Sequence, residues 1–407
     1  MKKIRKILVR GIAGIIIVLL IFSLSGCYSV QSIDDLTYVI ALGIDKGKNN
    51  TLALTVQFTF PTSSESASGE AAPTIVNTVE CASINSGITL LNSYTSKEIN
   101  LSHCKIIVFS EELAVSGIGE EIFTLSNQVE IRPDSNIIIS KSTAKEYIEN
   151  SKPELENLVA KYYELNLFSQ EYAGFTENIS ISNFFNKLNT TSIEPTAILG
   201  NGNKLNLPSS NNSKDELDIV AGELPITEYK RESENLGIAV FKDDKMVGEL
   251  TAIETMLHLI LTDNFESGII TLNHPLKENS TIDIALYSHK KTNIDAKLIN
   301  GSPFATIEVF LNSRLLSVDK NSGDFDSDEI KELESLINSY LENAILNYLY
   351  KTSKEFESDI DGIGQSLLTK FKNSKEWNNY NWPQNYKNTF FKVHVNTNIK
   401  SSFLLSS

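Results

Sequence analysis

The sequence predicts a mixed α/β (α+β) protein of several domains, whose mainly antiparallel sheets are packed by helices. Three observations carry this prediction. Residues 51–60 alternate apolar and polar side chains with a period of two, as a half-buried strand does. Strand-like and helix-like patterns then alternate from 74 to 168. Strand-like runs at 282–290, 293–300 and 304–312 are joined by short polar turns, which indicates an antiparallel meander.

The N-terminal elements begin with a predicted β-hairpin. Two strand patterns, 36–44 and 51–60, flank the turn-forming stretch Asp45-Lys-Gly-Lys-Asn-Asn. A stretch rich in Ser, Ala, Glu and Gly at 61–73 has the composition of a loop. The patterns that follow predict three strands and four helices, with the strands at 74–80, 102–109 and 136–140 and the helices at 84–94, 111–128, 142–150 and 153–168.

The C-terminal elements resume with short strands predicted at 237–242, 246–250 and 268–272 and a helix at 251–262. The strongest helical pattern begins near Asp328. Its apolar residues lie on one face at 3.6-residue spacing, and they are Ile330, Leu333, Ile337, Tyr340, Leu341, Ala344 and Tyr348. A last strand is predicted at 389–399, with Phe391, Val393, Val395 and Thr397 on one face.

The domain organisation follows from these patterns and from length. A chain of 407 residues exceeds the usual domain of about 100–200 residues. We predict a signal peptide at 1–26 and a lipidated cysteine with its tether at 27–35. An N-terminal mixed α/β region of one or two subdomains spans 36–200. Residues 201–235 carry few apolar anchors and are predicted to be a linker or exposed loop. A C-terminal α+β domain occupies 236–407.

The first 27 residues have the layout of a lipoprotein signal. Five basic residues precede the apolar run 11–23, which is too short for the ~20 residues of a transmembrane helix. Leu24-Ser-Gly-Cys27 follows directly, with small residues before a cysteine that can carry lipid. We therefore predict cleavage before Cys27 and modification of Cys27 by S-diacylglycerol and an N-acyl chain, which places the protein on the extracytoplasmic face of a membrane.

The net charge argues against nucleic acid as a partner. The formal charge is −15 at pH 7, and the charged residues of the predicted signal are all basic, so the mature chain is more acidic still. Such a surface repels phosphate backbones and anionic lipid headgroups. The lipid anchor, rather than electrostatic attraction, is therefore expected to hold the protein at the membrane.

The sequence contains no pattern for catalysis or metal binding. There is no Gly-x-Ser-x-Gly motif, and the five histidines are scattered. His103 and Cys104 are adjacent, so on a strand they point to opposite faces and make a poor chelate. Cys81 and Cys104 are either buried thiols or one disulfide. We predict no catalytic, cofactor-binding or metal-ligating residue and no enzymatic activity.

Two stretches resemble ligand-binding loops but differ from them in detail. Asp324-Phe-Asp-Ser-Asp328 begins like a calcium loop, yet Glu329 stands where glycine is needed and Ser335 where a bidentate glutamate belongs. We interpret it as the beginning of a helix. Gly43-Ile-Asp-Lys-Gly-Lys lacks the spacing of a phosphate-binding loop and is explained by a hairpin turn.

Several stretches, in order along the mature chain, resemble the Ger(x)C lipoproteins, the C subunits of bacterial spore germinant receptors. These stretches are Gly26-Cys27, Ile33-Asp-Asp-Leu36, Gly43-Ile-Asp-Lys46, His103-Cys-Lys-Ile-Ile-Val-Phe-Ser-Glu-Glu112, Glu130-Ile-Arg-Pro133, Gly237-Ile-Ala-Val-Phe-Lys-Asp-Asp-Lys-Met-Val-Gly248, Ser358-Asp-Ile-Asp-Gly-Ile-Gly364 and the segment 377–383. Each stretch alone is a weak signal, but the ordered set behind a lipobox is specific.

The resemblance implies a non-enzymatic role in spore germination. Family members are lipoproteins on the outer face of the spore inner membrane, with an elongated ectodomain of mixed α/β domains. They assemble with membrane-spanning A and B subunits into a receptor that senses nutrients. Whether this subunit contacts a small-molecule ligand is not implied.

Two turns are candidate partner contacts, Gly43–Lys46 and Asp359–Gly364, since both are expected to be exposed and both carry the resemblance. The alternative is that these turns only need glycine for positive φ and aspartate for local hydrogen bonds.

A different class of function also begins with a lipobox. Solute-binding lipoproteins of ABC transporters are often acidic, but they have two halves with largely parallel sheets around a cleft. The predicted meander at 282–312 and the terminal strand disfavour that class. A lipid-anchored hydrolase is disfavoured because the sequence has no nucleophile motif.

Overall fold

The structure is a computed structural model that describes residues 2–23, 33–59, 74–152, 156, 158–167, 170–202, 217–224, 233–273, 281–316 and 327–400. Two mixed β-sheets packed by helices make up most of the described chain, which confirms the mixed α/β class. The predicted loop at 61–73, Cys27 and Asp324 lie outside the described residues. Among the described residues, no helix has the length and apolarity that crossing a membrane requires.

The first sheet contains nine described strands: β1 (Leu36–Lys46), β2 (Leu52–Thr59), β3 (Thr74–Cys81), β4 (Glu98–Asn100), β5 (Ile106–Ser110), β6 (Asn136–Ser140), β7 (Thr196–Asn201), β8 (Glu234–Lys242) and β9 (Lys245–Leu250). Their order is β3-β2-β1-β5-β6-β7-β8-β9, with β4 beside the first residues of β1. Strands β1, β5, β6 and β7 are parallel, and antiparallel strands flank them on both sides. The parallel strands are buried on both faces, as their continuous apolar runs require.

The helices of this part connect and cover the strands. In chain order they are α2 (Ile84–Tyr94), α3 (Glu111–Ser116), α4 (Gly119–Ser126), α5 (Ala144–Asn150), α6 (Val159–Asn166), α7 (Gln170–Ala173) and α8 (Ile181–Leu188). Helix α1 (Lys2–Ser23) precedes all the strands, and its described side chains are exposed. The bounds predicted for α2 and β6 are confirmed. The prediction of one helix over 111–128 is wrong. Gly117 has φ +116° and ends α3, and Ile118 then donates its amide to Asp244 (3.0 Å) before α4 begins.

The predicted N-terminal hairpin is confirmed, but its turn lies further along the chain than predicted. β1 pairs with β2 up to Lys46 opposite Leu52, so the turn begins at Gly47. The Gly43–Lys46 stretch, predicted to be an exposed turn, is therefore part of β1. Gly43 is buried against Ile148, which leaves no space for a Cβ atom. Only the last residue of the stretch is exposed, so most of it cannot contact a partner.

The predicted linker at 201–235 lies between two strands that pair with each other. β7 ends at Asn201, β8 begins at Glu234, and the two strands are antiparallel neighbours in the first sheet. We call the chain before the 201–235 segment the N-terminal half and the chain after it the C-terminal half. Strand β8 packs into the cores of both halves. Ile238 and Val240 enter one hydrophobic core, while Ala239 and Phe241 enter the other. The assignment of 201–235 as a domain boundary stays a prediction.

The second sheet has the strand order β10-β11-β12-β13, where the strands are β10 (Ser267–Asn273), β11 (Thr281–Ile299), β12 (Ser302–Leu315) and β13 (Phe390–Ile399). Strands β10, β11 and β12 form the predicted antiparallel meander. The two runs predicted at 282–290 and 293–300 are, however, one strand with register shifts between Ser288 and Asn293. The polar residues in this stretch mark bulges rather than a turn. β13 pairs in parallel with β12.

Helices α9 (Ala252–Leu261), α10 (Ser327–Tyr350), α11 (Ile363–Leu368), α12 (Ser374–Tyr380) and α13 (Trp382–Asn385) complete the described chain. The interpretation of Asp328 as part of a helix beginning is confirmed, because it lies in the first turn of α10. Side chains of α10 cover the free edge of β13. Three side chains of α10, each one turn after the last, accept backbone amides along this edge. Glu334 accepts from Ile399 (2.9 Å), Asn338 from Thr397 (2.9 Å) and Glu342 from Val395 (3.0 Å). These bonds protect an edge that could otherwise pair with another chain.

The central bond of this helix-to-edge contact can be tested by Asn338→Ala. Asn338 accepts both the amide and the hydroxyl of the buried Thr397. We expect Asn338→Ala to lower the free energy of unfolding by about 2 kcal/mol, because two donors lose their acceptor. Asn343→Ala, on the exposed face of the same helix, is the matched control with a change near zero. If urea denaturation showed equal losses of unfolding free energy for both variants, the stabilising role of the Asn338–Thr397 hydrogen bonds would be contradicted.

Candidate functional site: a buried polar joint between the two halves

The segment 358–364, which carries part of the family resemblance, lies where the two halves meet. Helix α10 continues into a π-helical turn, Lys351–Phe356, and Glu357 then adopts a left-handed conformation (φ 50°) that turns the chain back. The Ser358 hydroxyl donates to the carbonyl of Phe241 in β8 (2.5 Å). The amide of Glu194, just before β7, donates to the carbonyl of Asp359 (2.8 Å). The segment is thus bonded to the first sheet.

Asp359 organises the turn that follows. Its carboxylate accepts the amides of Ile363 (3.1 Å) and Gly364 (2.7 Å) and the indole N–H of Trp382 (2.9 Å). A Cβ atom on Gly364 would lie 2.2 Å from the Trp382 nitrogen, so only glycine fits beneath the indole. Gly362 supplies the positive φ (+74°) that the turn needs. Burial raises the pKa of Asp359 to about 7, and the nearby charge of Asp361 adds to this rise, while the three hydrogen bonds oppose it.

His258 is the centre of the buried polar joint, which we define as Glu177, Thr196, His258, Tyr348 and Asp361. Its side chain is fully buried on α9. Nδ1 of His258 lies 2.8 Å from Oδ1 of Asp361, and the Tyr348 hydroxyl donates to the same oxygen (2.8 Å). Three segments of the C-terminal half, namely α9, α10 and the segment 358–364, therefore converge on one carboxylate.

The other side of His258 faces the N-terminal half. Nε2 lies 3.4 Å from Oε2 of Glu177, which precedes α8 and is itself buried. The hydroxyl of Thr196 in β7 donates to the same Glu177 oxygen (3.2 Å), and the Lys187 ammonium donates to that hydroxyl (3.3 Å). The imidazole of His258 is consequently held between one carboxylate from each half.

The electrostatics of the joint favour a charged histidine. Burial acts to lower the pKa of His258, but the hydrogen bonds and charges of Asp361 and Glu177 outweigh it and raise the pKa to about 9. Burial likewise acts to raise the pKa of Glu177, but Lys187 and His258 lower it to about 2. At neutral pH the joint therefore contains an imidazolium with an ionised Glu177 beside it.

This geometry favours a connection over chemistry on a bound molecule. The side chains of His258 and Asp361 are completely buried, so neither can reach a substrate in this conformation. The two ring nitrogens of His258 face two different carboxylates, Asp361 and Glu177. The imidazole ring therefore lies between these carboxylates, which is not an arrangement that chelates a metal. Among the described residues, no group of three or more histidine, cysteine or acidic side chains is arranged to hold a metal ion.

The other residues singled out in the sequence lie apart from this joint. Cys81 and Cys104 are buried free thiols, which decides between the two alternatives for them. His103 is exposed beside Cys104, so the pair is not a chelate. The Asp359–Gly364 turn is buried, so the prediction that it is exposed for partner contact is wrong and its local hydrogen bonds explain it. Cys27 lies outside the described residues, and its lipidation stays a prediction.

Sequence reasoning missed His258 as a site residue. One signal was present, because His258 is an ionisable residue inside the apolar run Met256-Leu-His-Leu-Ile-Leu261 of a predicted helix. A buried ionisable group needs a partner of opposite charge. The partners could not be identified, since Glu177 and Asp361 are distant in sequence from His258 and lie on opposite sides of it.

The fold and the joint define a two-part mixed α/β protein whose halves are linked by a shared strand and buried charges. Two family models match the chain. "Spore germination protein N-terminal domain" matches residues 29–199, and "Spore germination B3/GerAC like, C-terminal" matches residues 236–402. Together they cover most of the 407 residues. The chain therefore belongs to the spore germination GerAC family.

Individual relatives agree with this family assignment. Spore germination protein KC of Bacillus subtilis (strain 168) is 20% identical over 398 residues, covering 93% of this chain and 92% of that protein. Spore germination protein GerQC of Bacillus cereus is 23% identical over 394 residues, covering 95% and 98%. The crystal structure of the GerBC protein has the same fold, with a TM-score of 0.54 at 15% identity over 88% of this chain and 97% of that chain.

The charge state of the joint predicts a pH dependence of stability. The folded protein holds the His258 proton up to about pH 9, while the unfolded chain releases it near pH 6.5. The stabilisation is therefore complete below pH 6.5 and is lost as the pH rises toward 9, by about 3 kcal/mol at most. We expect urea denaturation of wild type to show this loss and His258→Gln, less stable throughout, to lack it.

The matched control is His289→Gln, which changes an exposed histidine on β11. Its stability should follow the wild-type curve between pH 6.5 and 9. If wild type and His258→Gln lost stability in parallel over that range, His258 would not be the titrating group and the charged joint would be refuted.

Proposed function

We propose that this protein is the lipid-anchored C subunit of a nutrient germinant receptor, on the extracytoplasmic face of the spore inner membrane. In this proposal it acts without enzymatic activity, by assembling with membrane-spanning A and B subunits and supporting their signalling. Membership of the spore germination family and the lipobox ending at Cys27 support it. The buried polar joint is the observation that supports a role in transmission.

The anchor contributes through local concentration. A diacylglycerol supplies two chains, which anchor stably where a single chain binds only marginally. The tether from Cys27 to Leu36 is short, so it confines the acidic ectodomain near the membrane. Confinement raises the effective concentration of the protein toward membrane subunits without additional contact area.

The joint contributes through coupling of the two halves. A displacement of the Glu177 segment relative to His258 would leave a buried charge without its partner, which is costly. The halves are therefore expected to move together. Further bonds cross between them, such as the Trp377 indole N–H to Thr191 (2.8 Å) and the Lys141–Glu249 ion pair (3.0 Å). In our proposal, these contacts transmit a displacement of one half to the other half.

The solute-binding alternative has less support. That class requires two halves that open and close around a cleft. Here strand β8 packs into both cores and the buried joint bonds the halves, which opposes hinge opening. The family match also assigns the chain to spore germination proteins.

The anchor is tested by comparing the native protein with Cys27→Ala. We expect the mass of the native protein to show an N-terminus at Cys27 that carries diacylglycerol and an acyl chain, and we expect the protein to sediment with membranes. The Cys27→Ala protein should carry no lipid, and its amount in the soluble fraction should be at least tenfold higher than that of the native protein. Cys81→Ala, at a buried cysteine, is the control that leaves the partition unchanged. A native protein that is soluble and unmodified would contradict the anchor.

The transmission role is tested by Asp361→Asn and Glu177→Gln, which neutralise one carboxylate on each side of His258. We expect spores carrying either variant to germinate several-fold more slowly in response to nutrients, because the coupling of the halves is weakened. The control is Asp295→Asn, at an exposed ion pair with Lys370. The rate is followed by the fall in optical density of spores, at matched levels of the protein. Wild-type rates in both variants would refute this role.

A further inference from the structure

A polar cavity of about 400 Å³ lies at the edge of the first sheet where the parallel strands begin. Lys105, just before β5, and Asn136, at the start of β6, form part of its wall. The amide of Lys105 donates to Ile40 in β1 (2.9 Å), and the amide of Asn136 donates to Lys105 (2.9 Å). The cavity is therefore beside the first half of β1, the strand that follows the tether.

The cavity is lined by two charges of each sign. Arg132 donates from Nε and Nη2 to Asp134 (2.8 and 2.6 Å), which leaves its Nη1 outside this ion pair. The Lys105 and Lys161 ammonium groups each lie 3.8 Å from the same oxygen of Glu164. Both distances exceed hydrogen-bond length, so Lys105 and Glu164 keep capacity for another partner. Oδ1 of Asn136 is buried and accepts no hydrogen bond from the described part of the chain. The wall thus offers cationic donors and anionic acceptors side by side.

The position of the cavity relates it to the membrane. Eight residues lie between Cys27 and Leu36, the first residue of β1. Even a fully extended chain of this length spans no more than about 30 Å. A lipidated Cys27 therefore keeps the start of β1 within reach of the bilayer surface. Tyr38 and His103 stack edge to face near this end (4.3 Å between ring centroids), and tyrosine is common at membrane interfaces.

Two stretches that carry the family resemblance meet at this cavity. Lys105 belongs to the stretch 103–112 and Arg132 to the stretch 130–133. Neither contributes to the joint around His258, so the proposed transmission role leaves them unexplained. Their cationic side chains lie in one wall although their positions in the sequence differ by 27.

We propose that this cavity binds the zwitterionic headgroup of a membrane phospholipid that carries a phosphate and a primary ammonium, as phosphatidylethanolamine does. Lys105 and Arg132 bind the phosphate, and Glu164 and Asp134 accept from the ammonium. This proposal rests on the proposed lipid anchoring of Cys27. Balanced charges in the wall favour a zwitterion over a simple anion, which the net acidic surface would repel.

The test measures headgroup binding without a bilayer, so its outcome does not depend on the anchor. The full-length protein, in a maltoside detergent, is titrated calorimetrically with glycerophosphoethanolamine, glycerophosphocholine and inorganic phosphate. We expect saturable binding of glycerophosphoethanolamine, and binding at least about tenfold weaker for the other two. Glycerophosphocholine has no N–H to donate to the carboxylates, and phosphate has no ammonium at all.

Two variants assign the binding to the cavity. Lys105→Gln with Arg132→Gln should weaken glycerophosphoethanolamine binding by about tenfold or more, while the matched control Lys145→Gln with Lys370→Gln, at exposed ion pairs elsewhere, should leave it unchanged. Glu164→Gln should weaken the binding of glycerophosphoethanolamine but not that of inorganic phosphate, which lacks the ammonium. This second variant decides the question if the first one has a lowered melting temperature.

Three outcomes would overturn the proposal. One is an absence of saturable binding by the wild-type protein. Another is binding that both cavity variants retain. The third is equal affinity for inorganic phosphate, which would indicate a site for free phosphate. None of these outcomes bears on the Cys27 mass measurement, so a failure here is distinguishable from a failure of the anchor.

Discussion

The structure depends most on the placement of His258 between two carboxylates that come from different halves of the chain. Removing an ion pair from water is expensive, and the attraction between the ions repays that cost only when the geometry is good and the remaining polar atoms are bonded. Here Thr196 donates to Glu177 and Tyr348 donates to Asp361. Oδ2 of Asp361 and Nε2 of His258 make no hydrogen bond within the described residues, so this support is partial. The arrangement adds modestly to net stability, but it makes any other packing of the two halves costly.

Strand β8 imposes the second constraint on the same interface. Its alternate side chains enter different hydrophobic cores, so the strand cannot shift by one residue without exchanging its two faces. The segment 358–364 is hydrogen-bonded to β8 through Ser358, and to Glu194, just before β7, through Asp359. Buried charges and strand register therefore fix the same relative position of the two halves. For a protein proposed to transmit force, this rigidity is the relevant property.

Much of the secondary structure could be predicted because it depends on local chemistry. Helix α2 begins at Ile84 after the capping residue Ser83, and β6 is a short apolar run between polar residues. The errors arose where the same local chemistry serves two purposes. Gly43 fits a turn by composition, but it is small because α5 packs on it. The polar residues near 290 fit a turn equally well, but they bulge a single long strand.

The candidate site could not be predicted because its residues meet only in the folded protein. The partners His258 and Asp361 are 103 residues apart, and each looks ordinary in its own surroundings. Sequence patterns indicate which face of a helix or strand is buried, but they do not indicate which charged residue from a distant part of the chain packs against that face. The resemblance to a family identified the segment 358–364 without its role. Only the three-dimensional structure shows that the aspartates of this segment face inward.

The two charged clusters of the molecule, the joint and the edge cavity, differ in a way that bears on function. In the joint, three ionisable groups are almost completely removed from water, so its partners are fixed and exchange is costly. In the edge cavity, Lys105, Arg132 and their acidic neighbours remain partly exposed, so a ligand can reach them and replace their ion pairs. Under the two proposals made above, the exposed cluster binds a zwitterionic lipid headgroup, and the buried cluster couples the two halves of the protein.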